Sequence, residues 1–412
     1  MKIDVMTKDK DTKTVVPALR FPEFRDGEGW RQKILSEILD YERPDNYIVS
    51  NANYCQQGTP VLTANKSFIL GYTEEDYGIC NNLPVVLFDD FTIDKKYVDF
   101  PFKVKSSAIK LLRTKNDDDL KFVFEMMSLI MFEAKEHKRY YISSYQNQNV
   151  YMPKPTEQIK IANCLGSLDG LISAVTDKIE ALKEYKKGLM QQLFPAESKT
   201  TPAFRFPEFQ NAGEWMLLPI KKCNIDILTG YAFKGTEILE DNDGIPLMRG
   251  INITEGVVRH NNDIDRFYSG EDHTLSKYRL LCNDLVIAMD GSKVGRNFAL
   301  INKQDEGSLL VQRVARLRAD NIDFIMFIYQ QIGSDRFKKY IDRINTSSGI
   351  PHISLKQIED FKIWTTRNDK EFRMVTNCLS SVDELISTEI AKLDQLKAHK
   401  KGLMQQLFPK LQ

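Results

Sequence analysis

The chain has 412 residues but only six cysteines and five histidines, and neither set is arranged for chemistry. No two of Cys55, Cys80, Cys164, Cys223, Cys282 and Cys378 form a Cys-x-x-Cys pair, and the histidines do not cluster near them. This excludes the common zinc frameworks. A thiol set this sparse fits a reduced, intracellular protein. Long apolar runs are missing as well: nowhere do 18 uninterrupted apolar residues occur, which excludes a membrane-spanning helix. The first thirteen residues are polar and charged, without the apolar core of a signal peptide. An excess of either charge is also lacking, since 57 Lys and Arg face 57 Asp and Glu. That balance excludes a uniformly basic nucleic-acid coat but leaves room for a basic face with an acidic back. The expectation is a soluble, cytoplasmic protein.

The usual catalytic signatures are absent too. Gly230 and Gly235 have the spacing of a phosphate loop, but Thr236 stands where that motif requires Lys. No Gly-x-Gly-x-x-Gly run follows a strand, and no Pro-Pro dipeptide exists from which an adenine methyltransferase's Asn-Pro-Pro-Tyr could be built. No His-x-x-x-His pair or Gly-x-Ser-x-Gly elbow occurs. A catalytic constellation, a resident cofactor and a metal site are therefore not expected. The chain reads as a scaffold or reader.

What the sequence does contain is a duplication. Pro17-Ala18-Leu19-Arg20-Phe21-Pro22-Glu23-Phe24 returns as Pro202-Ala203-Phe204-Arg205-Phe206-Pro207-Glu208-Phe209, and each copy reaches a tryptophan, Trp30 or Trp215, at the same distance. The run from Lys186 to Pro195 recurs unchanged from Lys400 to Pro409. Extended back to Glu157 and Glu371, 22 of 39 positions are identical, too many for coincidence. The copies are offset by 185 residues at their starts and 214 at their ends, so the second half is longer in its middle. The middles share little identity. Such a chain would keep two equivalent docking surfaces while reading two different things; drift in the loops of an old duplication is the plainer alternative.

The repeated ends read as long helices. Leu165, Leu168, Ile172, Val175, Ile179 and Leu182 recur at alternating steps of three and four, as do Leu379, Val382, Ile386, Leu393 and Leu396, with Glu389 interrupting. This is a coiled-coil seam. Lys186 and Lys400 occupy matching seam positions, where a polar residue would help fix register. Pro155 suits a first turn, Asn368 with Glu371 resembles a capping box, and Pro195 and Pro409 stop the helices. Each helix would be roughly 55–60 Å long. Neither can bury its seam alone, so the expected partner is the other copy, antiparallel if the halves follow a local two-fold axis.

The fold class expected is mixed α/β: two globular domains separated by two long antiparallel coiled-coil helices in a pseudo-two-fold repeat. The corresponding division is an N-terminal tail (1–16), a first domain (17–154), a first helix (155–195), a linker (196–201), a second domain (202–368) and a second helix (369–412). Within the domains, Leu83 to Phe88 and Leu285 to Met289 suit buried strands, and Lys121 to Phe132 and Ile322 to Ile332 look helical.

Candidate reading surfaces are polar loops with interleaved aromatics. In the first domain they offer Thr63, Asn65, Lys66, Phe91, Thr92, Arg139, Tyr141, Ser143, Ser144 and Gln146; in the second, Arg249, Ser292, Lys293, Arg296, Asn297, Thr346, Ser347, Ser348 and His352. Arg, Lys, Asn and Gln match base edges, while Ser lets the backbone approach phosphates. For any one of these residues a solvated loop is the plainer reading, and Tyr140 and Tyr141 suit core as well as contact.

Taken together, two variable domains, each followed by a near-identical helix ending Lys-Lys-Gly-Leu-Met-Gln-Gln-Leu-Phe-Pro, resemble the specificity (S) subunits of Type I restriction-modification systems. The resemblance covers the chain after its first 16 residues. It includes Met152-Pro153-Lys154-Pro155-Thr156-Glu157-Gln158, Gly349-Ile350-Pro351-His352-Ile353-Ser354 and the strand-and-loop segment from Asp284 to Gly291. One departure is Asp369-Lys370-Glu371-Phe372, where the family has Pro-x-x-x-Glu-Gln. The resemblance implies two target recognition domains reading a bipartite site in double-stranded DNA. It further implies helices that set the spacing and dock two modification (methyltransferase) subunits, which bind S-adenosylmethionine, and restriction subunits that use ATP and Mg. This chain would itself catalyse nothing. Two rivals are a stand-alone two-headed DNA-binding regulator and a structural coiled-coil scaffold for proteins; an enzyme with an unfamiliar site is a third.

Overall fold

A computed structural model describes residues 14–65, 67–241, 243–270, 273–345 and 351–410. It divides into two compact units, one made of residues 1–176 with 391–412 and the other of residues 177–390. Two 39-residue helices, Pro155–Leu193 and Asp369–Leu407, contribute to both.

In the first unit, an antiparallel sheet runs Leu39–Glu42, Ile109–Thr114, Val85–Asp89, Lys95–Val98 in spatial order. A second sheet pairs Thr59–Leu62 with Ile69–Thr73 and, in parallel, with Lys103–Val104. The central strand explains why its sequence is an unbroken apolar run. Val85 and Leu87 face a cluster with Leu62, Val98, Phe102 and Val104. Val86 and Phe88, on the opposite face, pack with Phe122 and Met126 of the helix Leu120–Met127. A strand covered on both sides needs apolar residues at every position.

The second unit repeats this plan despite its divergent sequence. Its main sheet runs Asp226–Thr229, Val314–Arg318, Leu285–Ala288, Phe298–Leu300, again antiparallel throughout. Ile245–Met248 pairs in parallel with Leu309–Leu310, the counterpart of the 59–62 and 103–104 pair. Leu285 and Ile287 face one cluster, Val286 and Ala288 another. Added material includes the hairpin Ile253–Thr254 with Val257–Val258 and the helices Asp335–Ile344 and Leu355–Asp360.

Each unit has its own base of the same construction, and that construction accounts for the repeated sequence. Arg20 donates from Nε and Nη2 to Glu157 at 2.8 and 2.7 Å, and Trp30 Nε1 donates to Glu157 Oε1 at 3.2 Å. Its guanidinium also reaches the carbonyls of Gly27 and Glu28. In the second unit Arg205 donates to Glu371 at 2.6 and 3.0 Å, Trp215 Nε1 donates at 3.0 Å, and the carbonyls of Ala212 and Gly213 accept the remaining donors. The Arg, Trp and Glu that the repeats preserve thus form one buried bidentate lock, used twice. This corrects the expected capping box: Asn368 Oδ1 does accept from Lys370 N, but the Glu371 carboxylate is held by Arg205, Trp215 and Thr366.

The helix ends complete each base. Phe408 packs edge-on to Trp30 (6.0 Å) and stacks with Phe122 (5.2 Å) in the first unit; Phe194 meets Trp215 (5.9 Å) and Phe327 (5.4 Å) in the second. The backbone repeats too: Leu19 N donates to Gln406 O, and Phe204 N to Gln192 O, both at 2.9 Å.

The seam has the expected period. Leu165, Val175, Ile179, Leu379 and Val382 are buried, and Leu168, Ile172, Leu182, Ile386, Leu393 and Leu396 are half-buried between exposed neighbours. In each unit the front of one helix lies against the rear of the other, an antiparallel pairing. The seam lysines mark it: Lys400 Nζ donates to Asp169 at 2.6 Å and Glu125 at 3.0 Å in the first unit, and Lys186 Nζ donates to Asp383 at 2.6 Å in the second. Glu389, the interruption in the seam, accepts from Lys178 Nζ at 2.6 Å.

Candidate nucleic-acid interface

In both units the loop leaving the central strand is clamped by two other segments through equivalent backbone bonds. In the first, Asp90 N donates to Ala108 O (2.9 Å) and Tyr140 N to Asp90 O (2.8 Å). In the second, Met289 N donates to Arg313 O (2.9 Å) and Ile353 N to Met289 O (2.8 Å). Three loops therefore converge at the same place on each sheet. By this alignment, Arg139 and His352 hold the same position in the two domains.

The first-domain cluster is built around acidic turns. Asp89 Oδ1 accepts from Phe91 N (2.9 Å) and Thr92 N (3.0 Å), which shapes the turn. Asp90, buried, accepts from Tyr141 N at 2.8 Å and lies 3.6 Å from Lys110 Nζ. Thr92 Oγ1 donates to Asn65 Oδ1 (3.2 Å). The Phe91 ring stacks on His137 at 4.8 Å, with the Arg139 guanidinium 5.7 Å from its centre. Asn65, Phe91, Thr92 and Arg139 thus gather on one surface. Ser143, Ser144 and Gln146 return to backbone carbonyls of their own turn, at Arg139, Tyr140 and Ile142. Thr63 is buried, its hydroxyl accepting from Asn65 N. Lys66 lies outside the described residues.

Tyr141 is corrected from contact to core. It is 1% exposed, with its ring 5.3 Å from Phe88 and 5.5 Å from Tyr41. Burial pushes its phenol far above the ordinary range. In a segment as polar as 138–148, its aromatic character is the packing anchor of the loop.

In the second domain, Ser292, Lys293 and Arg296 are exposed on a turn closed by bonds from Val294 N to Gly291 O and from Arg296 N and Asn297 N to Lys293 O. Asn297, half-buried, also accepts at its carbonyl from Ala288 N. Arg249 is half-buried, donating to Ile264 O at 3.3 Å. Its neighbour Gly250 sits close enough to Asp290 that an added Cβ would lie 3.6 Å from the carboxylate. His352, exposed, pairs across a bridge with Asp290, and its N–H donates to Asn345 Oδ1 (2.9 Å). Thr346, Ser347 and Ser348 lie outside the described residues. Two participants went unread in the sequence: Asp290 and Arg313, 23 residues apart, joined at 3.4 Å. The positive φ of 67° at Arg313, a backbone state rare for a side chain of this size, has no sequence signature. Among the described residues, no group of His, Cys, Asp or Glu is placed to hold a metal ion.

Two domains of one topology, each on an equivalent lock and presenting its loop cluster at the same site on its sheet, define a duplicated protein. The solved S subunit of a Type I restriction-modification system from M. genitalium shares this fold, with a TM-score of 0.65 and 15% identity over 97% of this chain and all of that one. No family model matches the chain. It is 38% identical over 173 residues to the EcoR124I/EcoR124II specificity subunit of Escherichia coli, covering 39% of this chain and 43% of that protein. It is 27% identical over 272 residues to the MjaVIII specificity subunit of Methanocaldococcus jannaschii, covering 64% and 62%. The matches thus span less than two thirds of either relative. The chain is thus similar in sequence to parts of Type I restriction enzyme specificity subunits, and it shares the fold of a solved S subunit.

Proposed function

We propose that this chain is the DNA-specificity subunit of a Type I restriction-modification complex and acts in the cytoplasm as part of host defence. Residues 17–154 and 202–368 are its two target recognition domains, each reading one half of a bipartite duplex site. The helices 155–195 and 369–412 set the spacing and dock two methyltransferase subunits. Those subunits bring S-adenosylmethionine, restriction subunits bring ATP and Mg, and this chain contributes recognition without catalysis. The observation that supports the reading is the pair of equivalent loop clusters, different in sequence, on frames whose repeated residues are spent on the Arg–Glu–Trp lock and the helix seam. A duplicated frame with divergent loops is what reading two unlike half-sites requires. Among the described residues, no helix is long and apolar enough to cross a membrane.

The test is co-expression with a Type I methyltransferase subunit, followed by sequencing of methylated adenines in a plasmid library. Methylation should mark a two-part motif with an unspecified gap. Tight, sequence-specific binding at physiological salt by the chain alone would favour a free-standing regulator, and methylation without any motif would defeat the proposal.

A further inference from the structure

We infer that Arg313 and Asp290 form a single reading element for a G·C base pair in the second half-site. The inference rests on the function proposed above and adds the base chemistry. Arg313 sits in the exposed turn between Leu309–Leu310 and Val314–Arg318. Its backbone holds the left-handed conformation at φ 67°, fixed by the bond from Met289 N to its carbonyl. An unfavourable backbone state kept by a large side chain at a cluster of loops is a feature to be explained by what the side chain does there.

Neighbouring arginines of the same sheet are consumed by the fold. Arg318 is held bidentately by Asp284 at 2.6 Å on both oxygens, and Arg316 is buried against Asp226 and the carbonyl of Lys277. Arg313 is different. Its side chain is 67% exposed, and among the described residues its partner is Asp290 Oδ2, at the long distance of 3.4 Å. Most of the donor fork is therefore left facing outward. A guanidinium with two free parallel donors matches guanine O6 and N7.

Asp290 gives the element its direction. Its carboxylate, 35% exposed, lies beside the guanidinium, between Gly250 and the bridge to His352. A carboxylate there orients the fork and repels the DNA backbone, so the arginine is turned from phosphate toward base edges. Its other carboxylate oxygen is the type of acceptor that suits cytosine N4. The first domain has no such pair: the positions aligned with Arg313 and Asp290 are Ala108 and Phe91. The element therefore belongs to one half-site only.

The experiment uses the full chain co-expressed with its methyltransferase subunit and reads methylated motifs from a library randomised in both half-sites. The variants are Arg313→Gly, which relieves the positive φ and should keep the fold, Arg313→Lys, which keeps the charge without the fork, and Asp290→Asn. Arg313→Gly and Arg313→Lys should both relax one G·C position of the second half-site by about 5- to 150-fold, the range of one bidentate base contact. Asp290→Asn should relax the same position more weakly. The first half-site should stay as strict as in the parent, which reports that each variant is folded and assembled. If methylation falls evenly at all sites with the second half-site unchanged in preference, Arg313 touches phosphate and the inference is overturned. It is overturned equally if Arg313→Lys keeps full discrimination, or if no position responds. Absence of any bipartite motif from the parent complex would instead sink the function proposed above.

Discussion

Truncating Phe408, just past the end of the helix Asp369–Leu407, should loosen a sheet formed near the other end of the sequence. Phe408 is 4% exposed and closes an aromatic set with Trp30 and Phe122, at 6.0 and 5.2 Å. Trp30 is fully buried and begins the strand Trp30–Ile34. Phe408→Ala removes a ring from a site walled by other rings and by the Arg20–Glu157 lock, so collapse into the space is limited. The cost is about 3–5 kcal/mol. Against the 5–15 kcal/mol that a domain typically has, such a loss raises local opening by roughly two to four orders of magnitude. Hydrogen exchange read by mass spectrometry is the assay. Peptides covering 30–34, 120–127 and 149–152 should exchange faster, while 216–219 and 322–332 keep their protection. Phe194→Ala should show the reverse, because Phe194 plays the same part against Trp215 and Phe327. If Phe408→Ala leaves 30–34 and 120–127 as protected as before, or loosens 322–332 in their place, the account of the base is wrong.

Glu157→Gln should leave the Arg20 guanidinium buried without its counter-charge and cost about 3–5 kcal/mol in urea unfolding of the first unit; Glu371→Gln should do the same to the second, and a loss under about 1 kcal/mol would mean that solvent reaches the lock. At Asp169, burial works to raise the carboxyl, but hydrogen bonds and charge from Lys400 and Lys121 outweigh it and hold the group below its ordinary range. A carboxylate lowered in the folded state stabilises above its unfolded value of about 4 and loses that contribution as pH falls through the folded value. Asp169→Asn should therefore flatten the acid limb of stability measured by circular dichroism between about pH 5 and 2, and an unchanged limb would contradict the pairing. On the function proposed above, replacing residues 31–154 with the matching segment of a Type I specificity subunit should change one half of the methylated motif and leave the other intact; changes in both halves would show that the domains do not read independently.

Both long helices could be read from the chain, although they end at Leu193 and Leu407, before the expected limits of 195 and 412. Their signal is local: a step of three and four repeated from Leu165 to Leu193 and from Leu379 to Leu407, ended by proline. The central strands were legible for a related reason, since burial on both faces leaves an uninterrupted apolar run at 85–88 and 285–288. Repetition flagged Arg20, Trp30, Glu157 and the Leu-Phe-Pro ends as important without saying for what. Their contacts span up to 378 positions, from Trp30 to Phe408, and no periodicity encodes a partner that far away. The common topology of the two middles was invisible because sheet order depends on which strands pair, and many apolar sequences satisfy the same pairing. Tyr141 stayed open between core and contact for the same cause: an aromatic in a polar loop looks like either until the chain folds over it. Asp290 and Arg313, 23 residues apart on separate turns, become one element when two adjacent strands bring their ends together. Periodicity and composition are carried by neighbours in sequence, whereas a recognition surface is assembled from loop ends that meet through long-range strand pairing.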